Sequence, residues 1–270
     1  MNAKVIVGVL AVLALLAAPA WADWNEGDPY KMHYPQLPDP FGWDVSFAQT
    51  PLADDWECSQ TGPVDDIHIW LSFQGDRAPG PEPFGGVFGS VTIWSNVPAG
   101  VDPVLPWSHP GEALWGMNVD TRMPNVSLRP YASGDQGWFD PVTGLAVSGD
   151  HTGIWQLNID PAFDPSVGVA PFVQQRGEVY WLEFNLTAFD DQNPVPMEVG
   201  WKTSKSPHFM DDAVYLFGTG PPPPWRELRD PFTSQSLDLA FVITGIPEPA
   251  TVVLMMLGVV GVVALSRRRA

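Results

Sequence analysis

The feature that most limits what this chain can become is a two-residue rhythm. In DDIHIWLSF, Ile67, Ile69, Leu71 and Phe73 fall on one side of an extended backbone, and His68, Trp70 and Ser72 on the other. VYWLEFNL sets Tyr180, Leu182, Phe184 and Leu186 against Val179, Trp181, Glu183 and Asn185. MEVGW does the same with Met197, Val199 and Trp201, and LDLAFVIT with Leu237, Leu239, Phe241 and Ile243. Weaker versions occur at 43–48, 88–95, 153–159 and 213–217. Period two marks strands with one buried face. Between the two ends no stretch sustains the longer period of a helix, so the chain is predicted to be all-β.

Punctuation between these runs fits that expectation. The 270 residues include 25 Gly and 30 Pro, yet 45% of the chain is hydrophobic. Such a mixture argues against disorder and for many short elements joined by turns. Long turn-rich segments separate the strands, such as GDRAPGPEPFGG (75–86) and NVPAGVDPVLPWSHPGE (96–112). The expected architecture is a single β-sandwich of jelly-roll type over residues 23–246. Pro221–Pro224 read as a stiff extended crossing, beyond which Leu237–Thr244 returns into the same sandwich.

The two ends are of a different kind. Lys4, the apolar run Val5–Leu16 and the small residues Ala20 and Ala22 compose a secretory signal peptide, residues 1–22, removed by signal peptidase before Asp23. At the other end, Pro247-Glu248-Pro249 precedes the uncharged stretch Ala250–Leu265, which is followed by Arg267, Arg268 and Arg269. Such a stretch spans about 24 Å as a helix, short of the roughly 30 Å hydrocarbon core. It enters a bilayer but is marginal as a lasting span, and the arginines hold its end on the cytoplasmic side. This order resembles the PEP-CTERM sorting signal of exported bacterial proteins, over residues 247–270. The resemblance implies an exosortase that cleaves near Pro-Glu-Pro. It also implies transient anchoring in the inner membrane by the C-terminal helix, then release or transfer to the cell surface. The competing explanation is an ordinary tail anchor that stays in the membrane.

Charge narrows the partners. Of 13 Lys and Arg, four lie in the two ends, and of 31 Asp and Glu one does, so residues 23–246 carry 9 basic against 30 acidic groups, a net −21. That surface repels nucleic acid and anionic lipid, and favours divalent cations or neutral partners. The single cysteine, Cys58, excludes an intrachain disulfide and is expected as a buried apolar residue.

A second resemblance covers nearly all of residues 23–246. LADDWECSQTGPVDDIHIW, VPAGVDP with GEALW, VGWKTS with HFMDDAVY, and DLAFVITG are similar to blocks of an uncharacterised domain of exported bacterial proteins carrying the same tail. It implies a β-rich secreted domain and transfers no catalytic residue.

Two residue classes are candidates for chemistry. Asp54-Asp55, Asp65-Asp66, Asp190-Asp191 and Asp211-Asp212 are candidate ligands of a structural Ca²⁺, which takes six to eight oxygens from several loops. Neighbouring Asp residues on an extended chain point to opposite faces, so a site needs two or more segments. The simpler expectation is that Asp caps turns and strand ends in an acidic protein. Trp70, Trp94 and Trp181 lie opposite the main apolar set of their strands and are candidates for stacking on sugar rings. The simpler expectation there is burial beneath the long loops.

No nucleophile elbow, zinc-binding helix or phosphate-cradling glycine loop is present. His33, His68, His109, His151 and His208 are scattered. The expected function is therefore non-enzymatic: an exported cell-surface or matrix protein, structural or adhesive, associated with extracellular polysaccharide. A calcium-assisted carbohydrate-binding module is the alternative. A polysaccharide hydrolase or lyase, which needs two carboxylates at a set separation, stands behind both.

Overall fold

A computed structural model of the chain describes residues 23–161, 170–192, 197–218 and 225–245. Their regular structure is β throughout, apart from one short 3-10 turn at Gln74–Asp76. The strong alternations become β4 (Asp66–Phe73), β10 (Val179–Asp190), β11 (Val199–Lys202) and β14 (Phe241–Thr244), and the weaker ones fall in β1 (Trp43–Ser46), β5 (Gly85–Val97), β8 (Leu145–Ile159) and β12 (Val214–Leu216). β2 (Leu52–Glu57), β6 (His109–Asp120), β7 (Val126–Asp140) and β13 (Trp225–Glu227) complete two six-stranded sheets. β3 (Gly62–Pro63) and β9 (Val173–Gln174) pair apart from them.

The first sheet runs β11-β1-β7-β8-β4-β14, the second β13-β12-β2-β10-β5-β6. One apolar core joins them. Val45, Ile69, Leu71, Val199 and Phe241 from the first sheet cluster with Leu52, Val91, Ile93, Leu182 and Phe184 from the second. Trp201 holds the centre: its ring meets Phe184 edge-on at 5.2 Å across the gap, and its Nε1 donates to the Ala240 carbonyl at 2.8 Å. Burial of this size is the main force holding the layers together.

Strand order departs from a jelly roll. β7 and β8 zip together as a long antiparallel hairpin, as do β5 and β6. β1 lies parallel to β7, through Trp43↔Gly137 and Val45↔Phe139. β11 pairs with β1 on one edge and with Leu71–Phe73 of β4 on the other, while β14 takes Asp66–Ile69 along that same edge of β4. Strands β4, β8, β7, β1 and β11 therefore close into a ring. Two hairpins with adjacent strands, and a strand split between two partners, replace the interleaved jelly-roll order. The chain beyond the proline run does return into both sheets, through β13 and β14. Pro221–Pro224 themselves lie outside the described residues.

Candidate functional site

Alternation decides what the strand ring encloses. β1 reads WDVS and β11 reads VGWK. Trp43, Val45, Val199 and Trp201 belong to the shared core, so Asp44, Gly200 and Lys202 take the opposite face, inside the ring. A ring this narrow leaves little room. A Cβ on Gly200 would sit 2.9 Å from the Trp138 indole, so only glycine fits.

Asp44 and Lys202 are direct cross-strand partners. Lys202 Nζ donates to Asp44 Oδ2 and to the Gly42 carbonyl, each at 2.9 Å. His151, from β8, places Nε2 2.8 Å from the same Asp44 Oδ2 and Nδ1 3.0 Å from Asp150 Oδ2. The side chains of Asp44, Lys202 and His151 are all 0% exposed. Burial pulls the His151 pKa down, but hydrogen bonds to the carboxylates of Asp44 and Asp150 and the charge of Asp44 outweigh it and leave it raised. Trp138 meets the imidazole edge-on at 5.9 Å, and Ser72 Oγ donates to Gln136 Oε1 at 3.1 Å. Asp44 Oδ1, Gln136 Nε2 and Trp138 Nε1 have no hydrogen-bond partner among the described residues.

A second buried cluster forms where β2 meets the segments before β12 and β14. Asp54 faces the main core, where its carboxylate accepts from Leu239 N (2.6 Å), Gln36 Nε2 (2.8 Å) and Asp55 N (2.8 Å). Asp55 points the other way and is 1% exposed, with neither carboxylate oxygen partnered among the described residues. Burial pushes both carboxyls well up, Asp238 pushes them further, and Asp211 adds to the effect on Asp55. Asp238 is sealed too, accepting from Phe209 N at 2.6 Å with His208 Nδ1 at 3.5 Å. His33 stacks on Phe209 at 3.6 Å, and burial lowers its pKa to about 3. Even so, no three His, Cys, Asp or Glu groups among the described residues stand together as metal ligands.

The remaining Asp pairs have local roles. Burial and the charge of Asp160 push Asp66 up to about 7. Asp190 Oδ2 accepts from Gly80 N at 3.2 Å, and Asp191 N donates to the Phe84 carbonyl at 2.7 Å. Asp211 Oδ2 accepts from Ser108 N at 3.0 Å, and Asp212 Oδ2 lies 2.6 Å from Arg229 Nη2. Of the four pairs, the structure thus brings Asp54-Asp55 near Asp211-Asp212 through Asp238, and leaves Asp65-Asp66 and Asp190-Asp191 apart.

Two of the three candidate tryptophans are buried. Trp181 and Trp70 are both 0% exposed. Trp181 packs with Ala53, Leu105, Val214 and Trp225 under the 98–108 loop, Trp94 and Trp107 lie against that cluster, and its Nε1 donates to Asn96 Oδ1 at 2.9 Å. Trp70 lies between Trp24 and Tyr131, edge-on to each at 5.9 and 5.4 Å. Neither ring is presented to a sugar, because loop and N-terminal apolar groups need the same surface. Trp94 is half-buried. Beside it on the outer face, Glu183 has Ala53 and Thr92 as strand partners. Burial pushes its carboxyl up to about 7, partly offset by the Trp94 indole.

Asp44, Lys202, Asp150 and Asp238 are the chemical residues that sequence reasoning missed, and His151 was seen only as one of a scattered set. The available signal was an ionisable residue on the non-core face of a strand, as in WDVS and VGWK. The sorting residues Pro247, Glu248, Pro249, Arg267, Arg268 and Arg269, and the cleavage residues Ala20 and Ala22, lie outside the described residues. Among the described residues no helix is long and apolar enough to cross a membrane.

Comparison with known families divides the chain in two. The profile of a domain of unknown function (DUF7901) matches residues 32–244, and that of the PEP-CTERM protein-sorting motif matches residues 245–269. No curated protein and no solved structure matches. The sorting motif implies export, processing by an exosortase, and delivery to the cell surface or beyond.

Proposed function

We propose, from the premise that the chain belongs to the DUF7901 family of domains of unknown function, that it is a non-enzymatic structural or adhesive component of the cell surface, associated with exopolysaccharide. One observation carries the delivery part of the reading. The last strand, β14, ends at Thr244, and the sorting motif begins at residue 245. Cleavage near Pro247-Glu248-Pro249 therefore releases a domain that keeps all of its described strands. The front end agrees: Trp24 is buried and its carbonyl accepts from Gln156 Nε2 at 2.9 Å, so a chain beginning at Asp23 is held from its second residue. Before processing, Ala250–Leu265 anchors the protein transiently in the inner membrane, where signal peptidase and exosortase act. Fractionation with mapping of both termini tests this. The expected product lies outside the inner membrane and lacks the arginine cluster. Intact, tail-bearing protein extractable only with detergent would refute the delivery route. Loss of the protein without change in matrix cohesion or polysaccharide retention would refute the structural role.

A second reading, a calcium-assisted carbohydrate-binding module, is favoured by one feature: the unpartnered, sealed Asp55 carboxylate facing Asp238 and Asp211. Titrating the protein with Ca²⁺ while following its melting temperature decides that half of it, since a bound cation raises the midpoint. An unchanged midpoint ends it.

A further inference from the structure

Lysine and aspartate side chains are almost never fully buried unless paired, and a buried ion pair recovers its desolvation cost only with excellent geometry. In the strand ring the pairing is close but unevenly shared. Lys202 Nζ and His151 Nε2 both converge on Asp44 Oδ2, at 2.9 and 2.8 Å, while Oδ1 has no partner among the described residues. One oxygen is crowded by proton donors, with the amine one hydrogen bond from the carboxyl group, and the other has no partner among the described residues. Cross-strand register holds the two residues opposite each other, and all three side chains are closed to water.

We infer that Lys202 and Asp44 condense into an intramolecular isopeptide bond between β1 and β11, with His151 as proton donor to the departing oxygen. Proton transfer within the ion pair leaves an amine and a carboxylic acid. The amine nitrogen attacks Asp44 Cγ, forming the N–C bond and a tetrahedral carbon. His151 gives a proton to Oδ2 and regains one from the nitrogen. The Cγ–Oδ2 bond then breaks and Oδ2 leaves as water. Oδ1 stays as the amide carbonyl oxygen. Overall, one ammonium and one carboxylate become one amide and one water, with no oxidant, reductant or activated co-reactant. Burial favours the product, because two charges in a water-free interior are replaced by a neutral amide. Asp150 Oδ2, on the other ring nitrogen of His151, fixes the imidazole and supports its charged form.

The test is the intact mass of the full chain, set against the mass calculated from its mapped termini, followed by a tryptic map. The expected protein is one water lighter than its sequence, with the Lys202 and Asp44 peptides joined and no cleavage after Lys202. Lys202→Met and Asp44→Ala should keep the full mass. Each variant leaves a buried group without its partner and can therefore unfold, so the wild-type measurement stands alone. In His151→Gln, checked for a native circular dichroism spectrum, the joined product should form about a hundredfold more slowly or worse. Wild-type protein at full mass with a free Lys202 peptide would overturn the inference. So would a lost water confined to one peptide, as an aspartyl succinimide gives. A joined product maturing at the wild-type rate in His151→Gln would overturn the part assigned to His151.

Discussion

Replacing Glu183 by glutamine should make the protein more stable at neutral pH, and less so in acid. Glu183 lies on the outer face of the second sheet, where its strand partners Ala53 and Thr92 offer no cation, and burial pushes its carboxyl from 4.5 up to about 7. A raised carboxyl favours the protonated fold. Its cost is absent below the unfolded value, grows as pH rises, and is complete above the folded value. At about 1.4 kcal/mol per unit, ionisation at about pH 8 costs roughly 3 kcal/mol, but only about 1 kcal/mol at about pH 5. For a domain of this size that corresponds to a gain of about 6–12 °C in Tm for Glu183→Gln at the higher pH, shrinking to a few degrees at the lower. Thermal melts of both proteins across this range, followed by circular dichroism, measure the difference. The wild type alone is no test, because Asp54, Asp55 and Asp66 are shifted in the same direction. A gain that stays the same at both pH values, or a loss at both, would refute burial as the origin of the shift.

Three further outcomes follow from packing. Trp201→Ala removes the ring that packs against Phe47, Phe184 and Phe241, and should cost about 3–5 kcal/mol in denaturant unfolding. Gly134→Ala drives a Cβ into the Pro40 carbonyl oxygen, a backbone contact that cannot swing aside, and should lower stability by about 1–3 kcal/mol in the same assay. Cys58 is sealed, its Sγ donates to the Gln60 carbonyl at 3.0 Å, and burial raises its pKa. An exposed-thiol reagent should therefore label it only after unfolding, and rapid labelling of native protein would contradict that burial.

Legibility in the sequence tracked burial of one face. β10 shows its alternation because Tyr180, Leu182, Phe184 and Leu186 enter the core while the other face stays distinct. β6 is an edge strand: Trp115, Met117 and Val119 do alternate toward the core, but the Pro-Gly start and Leu114 on the opposite face blur the pattern, so HPGEALWGMNVD reads as loop. Residues 132–135 of β7 and 145–149 of β8 are mostly exposed on both faces, and the zipper there is held by backbone pairing that no side-chain pattern records. The closed ring was illegible for another reason. It depends on β4 sharing one edge between two strands that follow it by more than a hundred residues. Asp-Asp pairs drew attention because doublets are visible in a string. The Asp44–Lys202–His151 contact joins three singletons from three strands, and only the register brings them together.

The placement of β14 has a mechanical consequence. Ile243 and Phe241 accept from Lys31 N (2.8 Å) and Gln36 N (3.2 Å) on one side, while the other side is zipped to β4. A molecule tethered by its carboxyl end and dragged by flow is loaded along the axis of that strand. Both rows of bonds then meet the force in shear and must rupture together, instead of peeling open one by one. The point where the chain leaves the fold is thus a clamp rather than a frayed end.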